Sequence, residues 1–276
     1  MDNIDYFIAE RGTKGKNEIV QCPHFHKYYE IYYLIHGSRK FFVEDTVYKM
    51  YAGDLIIVSE GKVHKSTRIK DETYEKFLVC FHKNYLSNLY DEFMYYEIND
   101  CINKPYKFSG KNKVYIETLL NKMSFEKSNP DNYSPVLLRN YINELIIFLV
   151  REKNYSMLYS DNHQNLMDNT IQKAVRYICS NYANNITLKK ISEYINMSPT
   201  YFSKKFRRET GFGFKEYLLS VRLRAASFML IQTNKSITEI AMQCGFNDSN
   251  YFGDVFKKNK GMSPTIYRKS NESTKV

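Results

Sequence analysis

Hydrophobic positions along the chain change their period near residue 110. Between residues 18 and about 108 they come in short runs: "EIYYLI" (Glu30–Ile35), "KFFVED" (Lys40–Asp45), "DLIIVS" (Asp54–Ser59) and "KFLVCF" (Lys76–Phe81). Branched and aromatic side chains fit a pleated, packed surface, and the turns "HGS" and "AGD" carry the Gly and Asp that strand ends favour. Several such strands at close spacing predict a small barrel or sandwich. From about Lys111 the spacing becomes helical. Ile116, Leu119, Leu120 and Met123 fall at i, i+3, i+4 and i+7, and Leu138, Tyr141, Ile142, Leu145, Phe148 and Leu149 continue the pattern on a second helix. "SNPDNYSP" (Ser128–Pro135) breaks the two apart, and the polar, aperiodic "EKNYSMLYSDNHQN" (Glu152–Asn165) reads as an interdomain linker. Three aliphatics in a row, Leu145, Ile146 and Ile147, favour use of the second helix as a dimer interface as well.

Beyond the linker one supersecondary unit is written twice. Ile191 corresponds to Ile240 and Asn196 to Gly245, both 49 apart; after one inserted residue the offset is 50, matching Tyr201 with Tyr251, Phe202 with Phe252, Phe206 with Phe256, Gly211 with Gly261 and Tyr217 with Tyr267. The unit has the grammar of a helix-turn-helix. Thr187 and Ser236 stand where an N-cap opens a short helix. Asn196 and Gly245, the residue types that best tolerate a left-handed turn, close it. Ser198 and Asp248 can cap the next helix, and Pro199 suits its first turn. Phe202 with Phe206, and Phe252 with Phe256, anchor that helix, and Gly211 and Gly261 stop it. Its outward face in the first copy is Thr200, Ser203, Lys204, Arg207 and Arg208, a polar-basic surface of the kind that reads a major groove.

Composition narrows the class further. With 276 residues, 43% hydrophobic and 25% charged, the chain has room for two domains with buried cores. The longest purely apolar run, Leu145–Val150, is far too short for a bilayer. "MDNIDYFIAERGTKGK" lacks the apolar segment of a secretory signal, so a cytoplasmic protein with no membrane contact is expected. Cys22, Cys80, Cys101, Cys179 and Cys244 are scattered without a CxxC pair and read as reduced, packed thiols. The net charge of +10 is segregated: from Asp168 onward there are 18 Lys and Arg against 8 Asp and Glu, leaving 22 against 22 in the preceding residues. A neutral part joined to a basic part suggests one domain for something small and one for a polyanion.

At "SPTYFSKKFRRETG", "RLRAASFML" and "ITEIAMQCGFNDSNYFGDVFKKNKGMSPTIYR" the chain resembles the C-terminal domain of AraC/XylS-family transcription regulators, from near Asn169 to Arg268. The resemblance implies two helix-turn-helix subdomains joined by a long helix, about Phe214 to Gln232, with two recognition helices entering successive major grooves about 34 Å apart. Carried over by position, it makes Thr200, Ser203 and Lys204 base-facing in the first helix, and Asn250, Gly253 and Asp254 in the second. Arg207, Arg208, Lys257 and Lys258 are then phosphate contacts, which position rather than specify. Gly253-Asp254 departs from the Ser-Arg-like pair common in the family, so the first helix is expected to dominate affinity.

"HFHKYYEIYYLIHG" (His24–Gly37) holds the other chemistry. On a strand, alternate residues share a face, so His24, His26 and Glu30 would converge as two imidazoles and a carboxylate. Such a set suits a metal enzyme, a ligand pocket or polar residues satisfying one another. In the setting above, the N-terminal part is most like the family's cupin-type effector domain. "GDLIIVSEGKVH" supplies Gly53, Gly61 and His64 of the second cupin motif, with Ser59 where proline is usual and Arg68 where asparagine often is. His24, His26, Glu30 and His64 are read as effector-binding, with Tyr28, Tyr32 and Tyr33 as stacking partners; the same four are the set that would take a metal. His36, His82 and His163 have no obvious partners in the sequence, and no P-loop, GxSxG or dinucleotide fingerprint occurs.

The architecture expected is two-domain α+β: a cupin-like β-barrel over residues 1–108, a helical, dimerising segment 109–153, a linker 154–167, an all-α tandem helix-turn-helix domain 168–270 and a tail 271–276. The function expected is a sequence-specific, non-enzymatic transcription regulator, an activator more often than a repressor in this family. It would be a homodimer on a double-stranded DNA operator, engaging RNA polymerase, controlled by a sugar or related metabolite and without a cofactor. The alternatives are a metal-dependent cupin enzyme fused to a DNA-binding module, and a stress or virulence regulator sensing an apolar ligand such as a fatty acid.

Overall fold

The computed structural model describes residues 7–14, 25–69, 73–89, 92–156 and 167–272. The chain divides into two compact units, one holding His26–Leu166 and the other Met167–Val276.

The N-terminal unit contains eight strands among the described residues: β1 (Phe7–Lys14), β2 (Tyr29–His36), β3 (Ser38–Val43), β4 (Thr46–Tyr51), β5 (Asp54–Val58), β6 (His64–Arg68), β7 (Tyr74–Phe81) and β8 (Pro105–Lys107). They form two antiparallel sheets, ordered β1-β7-β2-β5-β8 and β4-β3-β6. The barrel expected from the strand spacing is therefore not closed. The reason is visible at Gly37, the single residue between β2 and β3. Its φ of +86° turns the chain out of one sheet and into the other, and a Cβ there would lie 2.9 Å from the Thr73 carbonyl oxygen. Only glycine turns so sharply at that approach without strain.

Alternation along β2 places its side chains in two different layers. Tyr29, Ile31 and Tyr33 face a large core shared with a 3-10 helix (Lys83–Leu89) and helices α1 (Glu92–Cys101), α2 (Gly110–Ser128) and α3 (Ser134–Ser156). Tyr32 and Leu34 face the other way, packing with Phe41, Val43 and Met50 of the smaller sheet and with Ile56 and Val58 of β5. A strand covered on both faces reads as a continuous hydrophobic run, which is why "EIYYLI" shows no simple alternation. Tyr33 also donates its hydroxyl to Glu117 Oε1 of α2 at 2.7 Å, tying sheet to helix.

Ile116, Leu119, Leu120 and Met123 of α2 and Leu138, Ile142, Leu145, Ile146 and Leu149 of α3 are buried in the first of these cores, with Tyr141, Ile147 and Phe148 partly buried against it. The aliphatic row that suggested a dimer interface is thus largely used inside the chain's own unit. Helix α3 runs to Ser156, three residues into the segment read as linker, and residues 157–166 lie outside the described residues.

The C-terminal unit is all helical: α4 (Asn169–Asn181), α5 (Leu188–Tyr194), α6 (Pro199–Thr210), α7 (Phe214–Gln232), α8 (Ile237–Gln243), α9 (Ser249–Lys260) and α10 (Pro264–Glu272). The caps stand where the sequence placed them. Thr187 accepts from the Lys190 amide, Ser236 from that of Glu239, Ser198 from that of Tyr201 and Asp248 from that of Asn250. Asn196 (φ 55°) and Gly245 (φ 84°) are both left-handed, as are Gly211 and Gly261. Gly245 has a second constraint, since a Cβ there would sit 2.8 Å from the carbonyl oxygens of Tyr182 and Ala183. Arg222 of α7 clasps those residues' neighbourhood, donating to the Tyr182 and Asn184 carbonyls. The two copies of the motif are therefore held by capping and close backbone packing as well as by their aromatic cores.

Candidate functional site

From Thr200 to Arg208 and from Asn250 to Lys258, helices α6 and α9 repeat one burial pattern. Phe202 and Phe206 are buried on α6, and Phe252 and Phe256 at the matching positions of α9. Edge-to-face contacts hold them: Phe206 packs on Tyr217 at 5.7 Å between ring centroids, Phe256 on Tyr267 at 5.2 Å. This anchoring turns the opposite face outward. Thr200, Lys204, Arg207 and Arg208 are exposed and Ser203 half-buried; Asn250, Asp254, Lys257 and Lys258 are exposed and Gly253 half-buried. The ten residues predicted to meet DNA thus fall on the open faces of two equivalent helices. Their basic members cluster at the C-terminal turns, where the helix dipole also favours cations.

Two features escaped the sequence reading. Tyr201 and Tyr251 occupy the same position in each copy and are 53% and 54% exposed, so each places an aromatic ring beside the polar positions of its helix. The repeat itself pairs them, and that was the available signal. Lys205 belongs elsewhere: its Nζ lies 2.7 Å from Asp168 Oδ2, while Asp168 also caps α4 through the Thr170 amide. Its charge fixes α6 against α4. The Lys205 ammonium in turn holds the Asp168 carboxyl below its usual range.

In the N-terminal unit His26, Glu30 and His64 come together, all buried. His26 Nε2 lies 3.2 Å, and His64 Nε2 3.5 Å, from Glu30 Oε2. The convergence does not arise by strand alternation as the sequence suggested. Strand β2 begins only at Tyr29, so His26 reaches Glu30 from the preceding segment, and His64 arrives as the first residue of β6. His24 lies outside the described residues. Tyr28 stacks on His26, ring centroids 3.8 Å apart. Tyr32 is not at an open site: it is packed between the sheets against Phe41 at 5.1 Å, its hydroxyl 3.4 Å from Ser66 Oγ. Tyr33 is on the opposite face of β2.

Electrostatics in this cluster are mutual. Burial disfavours the Glu30 carboxylate, but hydrogen bonds and positive potential from His26 and His64 outweigh it and hold its pKa well below the usual range. Burial likewise pushes both imidazoles down. For His64 the contact with Glu30 overcomes burial and the pKa is raised, while for His26 burial prevails and it is lowered. The Nδ1 atoms of His26 and His64 each lie 2.8 Å from a backbone carbonyl, that of Tyr28 and Lys62 respectively. A carbonyl only accepts, so both Nδ1 atoms carry hydrogen and both Nε2 atoms turn toward Glu30.

A helix-turn-helix domain model matches residues 191–270, and the model of the ExsA N-terminal regulatory domain matches residues 30–161. The chain belongs to the AraC family of transcriptional regulators. This regulator is 23% identical over 255 residues to the transcriptional activator RhaR of Enterobacter, covering 90% of this chain and 87% of RhaR. It is 22% identical over 267 residues to the Msm operon regulatory protein of Streptococcus mutans, covering 97% and 92%. Among solved structures, the C-terminal domain of AraT from Geobacillus stearothermophilus is 32% identical over 38% of this chain and 88% of that one, with a TM-score of 0.38. These relatives are regulators of transcription, and the regulator is not an enzyme. It binds DNA through its helix-turn-helix domain and carries an effector domain ahead of it. No helix among its described residues is long and apolar enough to cross a membrane.

Proposed function

We propose that this regulator activates cytoplasmic transcription as a homodimer, in response to a small polar effector, a sugar or related metabolite, received by its N-terminal unit. The observation that carries the reading is the division of labour between the units. One presents two equivalent helices with basic, outward faces, and the other buries a cluster of three converging ionisable side chains. His26, Glu30 and His64 are the effector-contacting groups in this reading, with Tyr28 stacked beside them and His24 preceding them. The activator sense is supported by RhaR, which carries that description. It implies contact with RNA polymerase.

Thr200, Ser203 and Lys204 read bases from α6, and Asn250, Gly253 and Asp254 from α9. Arg207, Arg208, Lys257 and Lys258 neutralise phosphates. Four such contacts in each subunit, eight in the dimer, give a log–log salt slope of about −7, so operator affinity falls roughly 10,000-fold between 50 and 200 mM salt. Fluorescence anisotropy on operator DNA is the test. Lys204→Ala is expected to weaken binding more than Asn250→Ala, because α9 offers glycine and an acidic side chain beside Asn250. A flat salt response overturns the assignment of the basic face, and the reverse ranking of the two variants overturns the primacy of α6.

Dimerisation is assigned to the outer side of α2. There Val114 (63% exposed) and Phe125 (68%) flank grooves against α3, the larger about 650 Å³ and lined by Val114, Tyr115, Leu119 and Lys122. The occupant is the same face of a second copy, which two half-sites on DNA call for. Light scattering of the full chain is expected to give twice 32.8 kDa, falling to 32.8 kDa in the double variant Val114→Asp, Phe125→Asp. A dimer unaffected by both changes would place the interface elsewhere.

A further inference from the structure

We propose, building on the base-facing reading of α9 above, that Asp254 selects a cytosine in the major groove and that Gly253 opens the close approach this contact needs.

The two recognition helices differ at matching positions. Ser203 and Lys204 of α6 correspond to Gly253 and Asp254 of α9, while the basic pair that follows is kept, Arg207-Arg208 against Lys257-Lys258. The open face of α6 thus carries cations alone, and that of α9 carries a carboxylate among them. Asp254 is exposed and stands three and four residues before Lys257 and Lys258, spacings at which helical ion pairs form. Among the described residues, none is bonded or ion-paired to its carboxylate. Other carboxylates of the unit are engaged: Asp168 with Lys205, and Glu209 with Arg208. Asp248 is committed as well, capping α9 through the Asn250 amide at 2.7 Å. Asp254 is therefore the acceptor that α9 holds out on its open face.

Against DNA, such a carboxylate meets a polyanion and costs affinity wherever it lies near phosphate. Its favourable contact is a donor on a base edge. In the major groove only cytosine N4 and adenine N6 donate. Adenine sets its N7 acceptor beside N6, which an amide satisfies and a carboxylate opposes; cytosine has no acceptor beside N4 on its own edge. Asp254 accordingly suits cytosine, and Asn250 suits adenine. The two stand on one face about 6 Å apart along the helix axis, so their targets lie within about two base pairs of each other. Lys204, the matching residue of α6, is a donor and suits guanine O6 and N7. Each half-site is then expected to hold two unlike boxes, one marked by guanine and the other by cytosine.

Aspartate is short, so its reach depends on how near the helix backbone comes to the base edges. Gly253 lies inside α9 without a left-handed backbone, and a Cβ there would meet nothing within 4 Å. Neither conformation nor packing requires a glycine, and a glycine inside a helix costs stability. What it supplies is a bare stretch of helix beside Asp254, as glycine does wherever backbone must approach a ligand closely.

The test selects sites for the full chain from a random duplex DNA library, with the parent, Asp254→Asn, Asp254→Ala and Gly253→Leu in parallel. Enriched duplexes are then measured by fluorescence anisotropy. The parent is expected to fix cytosine at one position of each half-site and to lose about tenfold in affinity when that C·G pair becomes T·A. Both Asp254 variants are expected to lose this preference alone and to bind the T·A duplex at least as tightly as the parent does. Gly253→Leu is expected to weaken the cytosine-bearing duplex about tenfold without lowering the melting temperature. Circular dichroism identifies any variant that fails to fold, and the other Asp254 variant then decides. Cytosine still fixed in both variants overturns the proposal, as does a gain in affinity equal on every duplex, the mark of a carboxylate that only repels. Gly253→Leu bound as tightly as the parent overturns the close approach, and with it the reach of so short a side chain. A parent that enriches no sequence removes the base-facing reading of both helices and this proposal together; a motif enriched by the parent but indifferent to Asp254 removes this proposal alone.

Discussion

Phe206→Ala is expected to unfold much of the first helix-turn-helix and to abolish operator binding without removing a single group that touches DNA. The ring is fully buried, packed against Phe202 at 5.3 Å and Tyr217 at 5.7 Å. Truncating a buried phenylalanine costs about 3–5 kcal/mol, through lost transfer energy plus the cavity left behind. Small domains hold only about 5–15 kcal/mol in total. For a unit of roughly a hundred residues the loss lowers the melting temperature by about 12 °C or more. Phe202 and Phe206 are the buried aromatic anchors of the recognition helix α6, so its outward residues lose their fixed orientation together. Thr200→Ala is the control: an exposed position, worth less than about 0.5 kcal/mol to stability, whose effect falls on DNA selectivity alone. A Phe206→Ala protein that melts within a degree or two of the parent would show that the ring is not what holds the helix.

The second large effect lies at Asp54, the first residue of β5. The side chain is fully buried, and its Oδ2 accepts the Tyr51 amide at 2.8 Å to close the turn from β4. Burial pushes its pKa up to about 7, against the lowering effects of the Tyr51 amide and of Lys107. Lys107 is its cross-strand partner on β8. An unfolded aspartate titrates near 3.9. Between about pH 4 and pH 7 the folded chain therefore holds a proton that the unfolded chain has released, and stability falls as pH rises through that window. At about 1.4 kcal/mol for each pH unit the loss is up to about 4 kcal/mol, complete above pH 7. Asp54→Asn keeps the shape and the acceptor for Tyr51 without the charge. Its urea midpoint is expected to exceed that of the parent at pH 8 and to approach it at pH 4. A lower midpoint at pH 8 would show that the ionised carboxylate is stabilised where it stands.

The C-terminal unit was legible almost residue by residue because its determinants are local. Thr187, Ser198, Ser236 and Asp248 cap helices within three residues of themselves, Asn196 and Gly245 turn on their own φ, and the repeat compares one segment with another. The N-terminal unit was legible in its strands with apolar runs and in the helical spacing of α2 and α3. Strand β6, "HKSTR", and strand β1, "FIAERGTK", are too polar to announce themselves, and which strands share a sheet depends on pairings dozens of residues apart. His26, Glu30 and His64 do converge, but partly for a different reason. Strand alternation could not see that a loop brings in His26, nor that Tyr32 and Tyr33 belong to opposite layers of packing.

The matched burial patterns of α6 and α9 carry a consequence for how this regulator can diverge. Each helix separates its duties by side: phenylalanines, caps and stop glycines hold the fold, while positions 200, 203, 204, 250, 253 and 254 face outward and contribute little to it. Substitutions at those six positions are close to neutral for stability. In the proposed reading, target preference can drift there in single steps, each passing through a folded protein. Gly253 and Asp254 beside Ser203 and Lys204 show two copies of one scaffold already carrying different texts.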